Sequence, residues 1–305
     1  MYAIFRYPLN LLFKLLGRHV EHPHLPAEVF PELTKQSTPS PLILATTGAE
    51  KSPYAPAVEG ALPSDLQGVL YRNGPGIFHR ENRRKRFILE GDGLIQRYSL
   101  SAEGVKYHSR FVRTKKFTLE ENCGEFRCAT WGTMAPGGVA NNLMPGLNWK
   151  TSSGVSVWKK NGKLFAFDEM ALPTELDPDS LETIGPYNFA PDQKSLVYSA
   201  HPKLDPKTGQ WVHFGLKTRK SLAVFITVVD KNGQLQETRE VPCPRYVYMH
   251  DFFLTERYYI FILHPAFIQI PQFLLGKTSF KGCFQWRGEE GNTVMVVPRD
   301  ATQPV

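Results

Sequence analysis

Two Asn-Gly dipeptides, each set between runs of β-type residues, limit the folds open to this chain more than any other feature. The segments VSVWKKNGKLFAF at residues 155–167 and TVVDKNGQLQETREV at residues 227–241 both have the dipeptide between two such runs. Asn-Gly readily adopts the positive φ angles that a two-residue hairpin requires. Each segment is therefore predicted to form two antiparallel strands, which favours an antiparallel β fold.

Similar strand-length runs recur along most of the chain. They include GVLYRN, LIQRYSL, WVHFGL and RYYIFIL, and glycine and proline number 24 each, which indicates frequent turns. Helix candidates in this region are weak, and no crisp sequence repeat stands out. We therefore predict an all-β domain over residues 66–305, built as a sandwich, a barrel or a propeller.

Residues 1–18, MYAIFRYPLNLLFKLLGR, have the pattern of an amphipathic helix. Apolar residues recur every three or four positions, and polar residues at every fourth position from Arg6 to Arg18 form a stripe opposite them. A basic amphipathic helix of this kind is suited to lie in a membrane interface, although it is too short and too charged to span a bilayer. The alternative is a helix that packs on its own domain, and Pro8 would interrupt its first turns.

Two further segments differ from the strand-rich body. Residues 19–65 contain proline-rich and Ser/Thr-rich stretches and are predicted to form an irregular arm before the sheets. Residues 266–276, AFIQIPQFLLG, are apolar, contain a proline and end in a glycine. An exposed hydrophobic loop that binds a membrane or a partner is consistent with this second segment, and so is ordinary core.

Charge and cysteine content argue against several classes of function. The formal charge of +7 lies partly in ENRRKRF at residues 81–87. No stacking aromatics or nucleic-acid motif accompany this cluster, so a solvated hairpin tip is favoured and no nucleic-acid partner is expected. The four cysteines form no C-x-x-C pair and lack the spacing of a zinc site, so we expect reduced thiols in a cytoplasmic protein.

Two of the nine histidines have similar surroundings. His201 follows the strand-like run LVYSA, and His250 ends the strand-like run YVYMH. Histidines at the ends of strands in successive sheets could converge on one metal ion. From the residues alone this signal is weak, and a packed surface histidine is the favoured interpretation of each.

Six blocks of sequence, taken together and in order, resemble the carotenoid cleavage oxygenase family. The blocks are GVLYRNGPG, LEGDGLIQRYSL, SRFVRT, LPTELDPDSLET, SAHPKLDPKTGQW and YMHDFFLTERYYIF. The resemblance implies a seven-bladed β-propeller with Fe(II) on its axis, held by four histidines.

By this resemblance, His201 corresponds to the first iron ligand and His250 to the second. Glu169, in FAFDEMALP, corresponds to a glutamate that the family uses to orient a ligand histidine. Such a carboxylate fixes the imidazole and raises its basicity. Neutral imidazoles suit Fe(II) and leave room for O₂, so no side chain of this chain is expected to act as a catalytic acid or base.

The implied reaction is the cleavage of a carotenoid or apocarotenoid double bond by an Fe(II)-dependent dioxygenase, which uses O₂ and gives aldehyde or ketone products. Polyenes of this kind dissolve in membranes. We therefore expect a cytoplasmic protein that associates peripherally with a membrane through residues 1–18 and 266–276.

The family pattern has two further histidines beyond the block TVMVVPRD at residues 293–300, and this chain has no match for either before Val305. We therefore expect an incomplete propeller that lacks its last blades and carries only half of the iron ligands. We also expect no activity for the isolated 305-residue chain. Two alternatives remain open. One is a lignostilbene-type dioxygenase that cleaves smaller phenolic stilbenes, and the other is a non-catalytic propeller that binds lipophilic ligands or partners.

Overall fold

The computed structural model describes residues 50–305 except 82, 86, 144–149, 170, 194–196, 218–222 and 246. The predicted amphipathic helix at residues 1–18 and most of the predicted arm lie outside this part. The described chain is mostly β. Its α-helices are α1 Lys115–Cys123, α2 Val139–Asn142 and α3 Ile270–Leu274, and its 3₁₀ turns are Ile88–Glu90, Lys281–Cys283 and Gly288–Glu290.

The strands are short and antiparallel. In chain order the strands of the described residues are β1 Lys51–Tyr54, β2 Gly68–Pro75, β3 His79–Arg80, β4 Arg83–Arg84, β5 Gly93–Ser101, β6 Gly104–Phe111, β7 Ser156–Lys160, β8 Lys163–Phe167, β9 Thr174–Leu176, β10 Thr183–Pro186, β11 Lys203–Leu204, β12 Trp211–Lys217, β13 Ala223–Val229, β14 Leu235–Pro242, β15 Phe253–Leu254, β16 Tyr258–Leu263, β17 Ala266–Ile268, β18 Phe284–Trp286 and β19 Thr293–Pro298.

These strands form four main sheets. The first has the order β1-β6-β5-β2, the second β10-β9-β8-β7, the third β11-β12-β13-β14 and the fourth β15-β16-β19, and two small sheets pair β17 with β18 and β3 with β4. In the second and third sheets every strand pairs with its neighbour in sequence. The all-β prediction is confirmed. A closed propeller is not present among the described sheets and stays a prediction, while β1 shows that the sheets begin before residue 66.

Both predicted hairpins are present, with different turns. Asn161 and Gly162 have φ angles of 50° and 77°, as a tight two-residue turn requires. The second turn is wider: the amide of Asp230 donates to the carbonyl oxygen of Gln234 at 2.9 Å, and Gly233 has a φ angle of 83°. The pairing of β13 with β14 shifts register next to this loop.

Neighbouring sheets pack face to face through alternating side chains. All seven residues of β13 are buried. Val224, Ile226 and Val228 join a cluster shared with the fourth sheet, whereas Phe225 and Val229 join one shared with the second sheet. Successive side chains of a strand point to opposite faces, so β13 contributes to two cores at once.

Gly215 in β12 lets the segment that leads to His201 lie directly against this strand. A β carbon at this position would lie 1.8 Å from the carbonyl oxygen of Val197. The amide of Ser199 donates to the carbonyl oxygen of Phe214 at 2.8 Å in the same place. The lack of a side chain at Gly215 therefore allows the chain just before His201 to pack and hydrogen-bond against β12.

The basic segment at residues 81–87 does include a hairpin tip, between the paired strands β3 and β4, but the segment is only partly solvated. Arg83 is exposed, but Lys85 is fully buried and its Nζ donates to Thr130 Oγ1 at 3.0 Å. Thr130 Oγ1 donates in turn to Glu90 Oε1 at 2.6 Å. The end of the segment is therefore tied to the loop that carries Thr130.

The apolar segment at residues 266–276 is divided between core and surface. Ile268 and Phe273 belong to or pack against a buried cluster. Leu274 and Leu275, at the end of α3, are 42% and 47% exposed. The first part of the segment is therefore core and its end is exposed, while binding of a membrane or a partner by the exposed end stays a prediction.

His213 in β12 is buried inside an aromatic cluster. Its ring stacks on Phe189 with a centroid distance of 4.2 Å, and neither ring nitrogen hydrogen-bonds to any described residue. Burial lowers its pKa to about 3 from an ordinary value of 6.5. Between these values the unfolded chain binds a proton that the folded chain does not, so stability falls as the pH drops from about 6.5 to about 3.

We expect His213→Phe to make the folded state less sensitive to acid, because phenylalanine can stack on Phe189 and cannot take up a proton. The measurement is urea unfolding at pH 7 and at pH 4, and the variant should lose less unfolding free energy between them than the parent. His264→Phe, at an exposed histidine, is the control. Equal losses of unfolding free energy in the parent and both variants would contradict the conclusion that buried His213 makes the fold sensitive to acid.

Candidate metal centre

The two histidines singled out in the sequence occupy matching places in neighbouring sheets. His201 lies two residues before β11, the first strand of the third sheet, and His250 lies three residues before β15, the first strand of the fourth. Pro202 follows His201 and restricts its backbone to extended conformations. The two imidazole rings are 4.4 Å apart between centroids, at 66° to each other.

Glu169 comes from the second sheet, just after β8. The preceding Asp168 holds its backbone, because Asp168 Oδ1 accepts from the Glu169 amide at 2.8 Å. Asp168 Oδ2 accepts from the amides of Ser152 and Ser153 at 2.8 and 3.1 Å. These bonds fix the turn that carries Glu169 against the neighbouring segment.

The glutamate meets both histidines. Glu169 Oε1 lies 2.9 Å from His250 Nδ1 and 3.7 Å from His201 Nε2. The Glu169 side chain is only 1% exposed, whereas the side chains of His201 and His250 are 29% and 51% exposed. The possible ligand atoms of the three residues lie within 4.8 Å of one another.

Tyr248 completes the cluster and was not identified from the sequence. Its hydroxyl donates to Glu169 Oε2 at 3.0 Å and lies 3.1 Å from His250 Nδ1. Tyr248 stands two residues before His250 in YVYMH, and alternate residues of an extended segment share a face. That spacing was the available signal, although many tyrosines have it without such a role.

The surroundings shift the pKa values of the two histidines in opposite directions. Burial, followed by the neighbouring His250, lowers the pKa of His201. The hydrogen bond to Glu169 is the main cause that raises the pKa of His250. Glu169 thus stabilises positive charge on His250, as it would also stabilise an imidazole that gives electron density to a metal.

The cluster is suited to hold a transition-metal cation. His201 Nε2 is buried and hydrogen-bonds to none of the described residues, so a lone pair there is available. Imidazole nitrogens are typical ligands of Fe(II), Co(II) and Zn(II), and a carboxylate beside them can hold a ligand imidazole in place. The other described histidines lie outside this cluster. His213 is inside a core, and His264 Nδ1 is hydrogen-bonded to Asn292 Oδ1 at 2.9 Å.

A cleft of about 930 Å³ adjoins His201. Its apolar lining includes Leu204 and Phe253, which are 50% and 58% exposed. Charged groups line it as well, among them the pair Lys203 and Asp251.

Comparison with known proteins agrees with the resemblance found in the sequence. The sequence profile of the RPE65 family, described as retinal pigment epithelial membrane protein, matches residues 44–305. The chain belongs to the RPE65 family of carotenoid oxygenases. It is 30% identical over 253 residues to the apocarotenoid-15,15'-oxygenase of Synechocystis, covering 80% of this chain and 51% of that protein.

One further relative and one solved structure extend the comparison. The isoeugenol monooxygenase of Pseudomonas nitroreducens is 30% identical over 258 residues, covering 84% of this chain and 52% of that enzyme. The crystal structure of the cobalt-substituted Synechocystis oxygenase superimposes with a TM-score of 0.78 at 28% identity, covering 86% of this chain and 57% of that one. The chain thus spans about half the length of the curated relatives it matches.

The remaining sequence-based expectations concern thiols and membranes. All four cysteines are free, as expected. Among the described residues, no helix has both the length and the apolar character needed to cross a membrane.

Replacement of the buried carboxylate tests the electrostatics of the cluster. We expect Glu169→Gln to weaken Co(II) binding by about 10- to 100-fold, as loss of a carboxylate partner does in other metal sites. Isothermal titration calorimetry measures the affinity. Glu175→Gln is the matched control, because Glu175 is a largely buried glutamate that pairs with Lys163 at 3.0 Å. Equal affinities for Glu169→Gln and the parent would contradict the expected role.

Proposed function

We propose that this chain carries part of the metal centre of an Fe(II)-dependent oxygenase that cleaves a carbon–carbon double bond with O₂. The observation that supports this proposal most directly is the cluster of Glu169, His201 and His250, in which ring nitrogens and a carboxylate oxygen lie within 4.8 Å of one another. The cluster joins residues from three sheets, so nothing in the local sequence requires them to meet.

In this proposal His201 and His250 hold the iron, and Glu169 orients His250. The buried Nε2 of His201, with no hydrogen-bond partner among the described residues, fits such a ligand. When bound, Fe(II) would supply the one-electron chemistry that lets O₂ react with an alkene. The carboxylate of Glu169 holds the proton of His250 at Nδ1, which leaves Nε2 of that ring free to bind metal.

The preferred substrate class is an apocarotenoid, which would give aldehyde or ketone products. The similarity to the Synechocystis apocarotenoid oxygenase supports this choice. A phenolic alkene is the second candidate, because the isoeugenol monooxygenase is equally similar at 30% identity. The cleft beside His201 has both apolar and charged lining residues, which suits a long apolar molecule with a polar end.

Iron binding and turnover are tested separately. Anaerobic titration with Fe(II) should show binding that His250→Ala abolishes and that His264→Ala leaves unchanged. Failure of the parent chain to bind iron would contradict the proposed metal centre and favour a non-catalytic binding protein.

Turnover is measured with an apocarotenal and with isoeugenol under ¹⁸O₂, by mass spectrometry of the carbonyl products. We expect no turnover by the 305-residue chain alone, because the cluster among the described residues supplies two imidazoles, and two imidazoles bind iron weakly. Cleavage of either substrate would overturn that prediction and identify the substrate class.

Peripheral membrane association is part of the proposal. Two segments are proposed to bind lipid. They are the exposed Leu274 and Leu275 at the end of α3 and the basic, amphipathic segment at residues 1–18. We expect flotation with anionic liposomes to decrease when residues 1–18 are removed, and again when both leucines become serine. Ile184→Ser, at a residue that is 64% exposed elsewhere, is the control. Unchanged flotation in both altered proteins would contradict membrane docking and favour the phenolic substrate.

A further inference from the structure

Ser199 contacts the backbones of both candidate ligand histidines. Its Oγ donates to the carbonyl oxygen of His250 at 2.7 Å and accepts from the amide of His201 at 3.4 Å. Ser199 is only 6% exposed. One buried hydroxyl therefore links the start of the third sheet to the start of the fourth, at the point where each sheet presents its histidine.

A salt bridge also connects the two chain segments that carry these histidines. Lys203 Nζ lies 2.7 Å from Asp251 Oδ1 and 3.0 Å from Asp251 Oδ2. Lys203 is two residues after His201, and Asp251 directly follows His250. The pair is partly exposed, so it contributes little to overall stability. It does restrict the separation of the two chain segments.

We propose that Ser199, assisted by the Lys203–Asp251 pair, is a positioning residue that sets the separation of the His201 and His250 imidazoles before any metal binds. This inference rests on the proposed function, because it concerns the same two ligands. It adds to that function a residue that touches neither metal nor substrate.

The physical reason is that the two histidines belong to different sheets. The apolar contacts between sheets are not directional and permit small sliding movements, whereas a metal site must hold its ligands to within about 0.5 Å. Directed hydrogen bonds supply that restriction. Without the hydroxyl, the His250 carbonyl would lose its bond to Ser199, and the two strand entrances could move apart.

The first test compares Co(II) affinity and the Co(II) visible spectrum in the full chain. We expect Ser199→Ala to weaken binding by about tenfold, the low end for loss of a supporting partner, and to shift the ligand-field bands. Ser199→Thr, which retains the hydroxyl, should have the Co(II) affinity and the ligand-field bands of the parent. Ser109→Ala is the matched control, because Ser109 is a buried serine whose Oγ accepts one backbone bond, from Lys51 at 3.1 Å.

The second test needs no metal. Histidine-selective labelling should show a nuclear Overhauser effect between the rings of His201 and His250, whose centroids are 4.4 Å apart. We expect this effect to weaken in Ser199→Ala and to persist in Ser199→Thr and Ser109→Ala. Because the chain is measured without metal, this result is independent of whether the proposed function is correct.

The salt bridge is tested by Asp251→Asn, which keeps an oxygen to accept from the amide of Phe252, as Asp251 Oδ1 does at 2.7 Å. We expect a smaller loss of Co(II) affinity than in Ser199→Ala. The control is Glu256→Gln, which removes the more exposed pair of Lys207 and Glu256, 3.0 Å apart, and should not change the affinity.

The outcomes separate a positioning role from a purely structural one. If Ser199→Ala lowers the melting temperature but keeps the ring–ring effect and binds Co(II) within twofold of the parent, the proposal is overturned. If the parent binds no metal but Ser199→Ala loses the ring–ring effect, the positioning role is supported and the proposed function fails.

Discussion

Side chains that alternate along the central strands pack against a different neighbouring sheet on each face. In β8, Leu164 and Ala166 join the cluster next to the first sheet, while Phe165 and Phe167 join the one next to the third. Burial of each large apolar side chain contributes roughly 1.5–3 kcal/mol. A strand buried on both faces therefore holds three successive sheets in a fixed order, and the rest of the structure depends on that order.

The candidate metal centre is a consequence of this stacking. When the second, third and fourth sheets are packed, the turn after β8 and the entrances to β11 and β15 come together. The buried Glu169 then requires partners, since an isolated carboxylate is costly to remove from water. His250 and Tyr248 supply them, with contacts of 2.9 and 3.0 Å. The histidines keep part of their surface open, which a ligand needs for access.

A second layer of contacts ties this cluster to the segment between β4 and β5. Trp131 packs edge-on against Tyr248 with a centroid distance of 5.7 Å. The loop that carries Trp131 is held by Glu90, whose Oε1 accepts from the amide of Gly132 at 2.9 Å. Glu90 also bonds to Thr130, which meets the buried Lys85. A polar network inside the protein thus supports the aromatic wall beside the site.

The sequence by itself determined the antiparallel β class, both hairpins and, through its resemblance to a family, the three residues of the cluster. Asn-Gly turns and alternating β-branched residues act locally, so the chain reveals them without tertiary information. The roles of Tyr248 and Ser199, the burial of Lys85 and the division of residues 266–276 were decided only by tertiary structure. Each depends on which segments meet across sheets 40 or more residues apart in the chain, such as Glu169 with Tyr248, 79 positions apart. Local patterns do not carry that information, because packing between sheets is specified by the sum of many side chains.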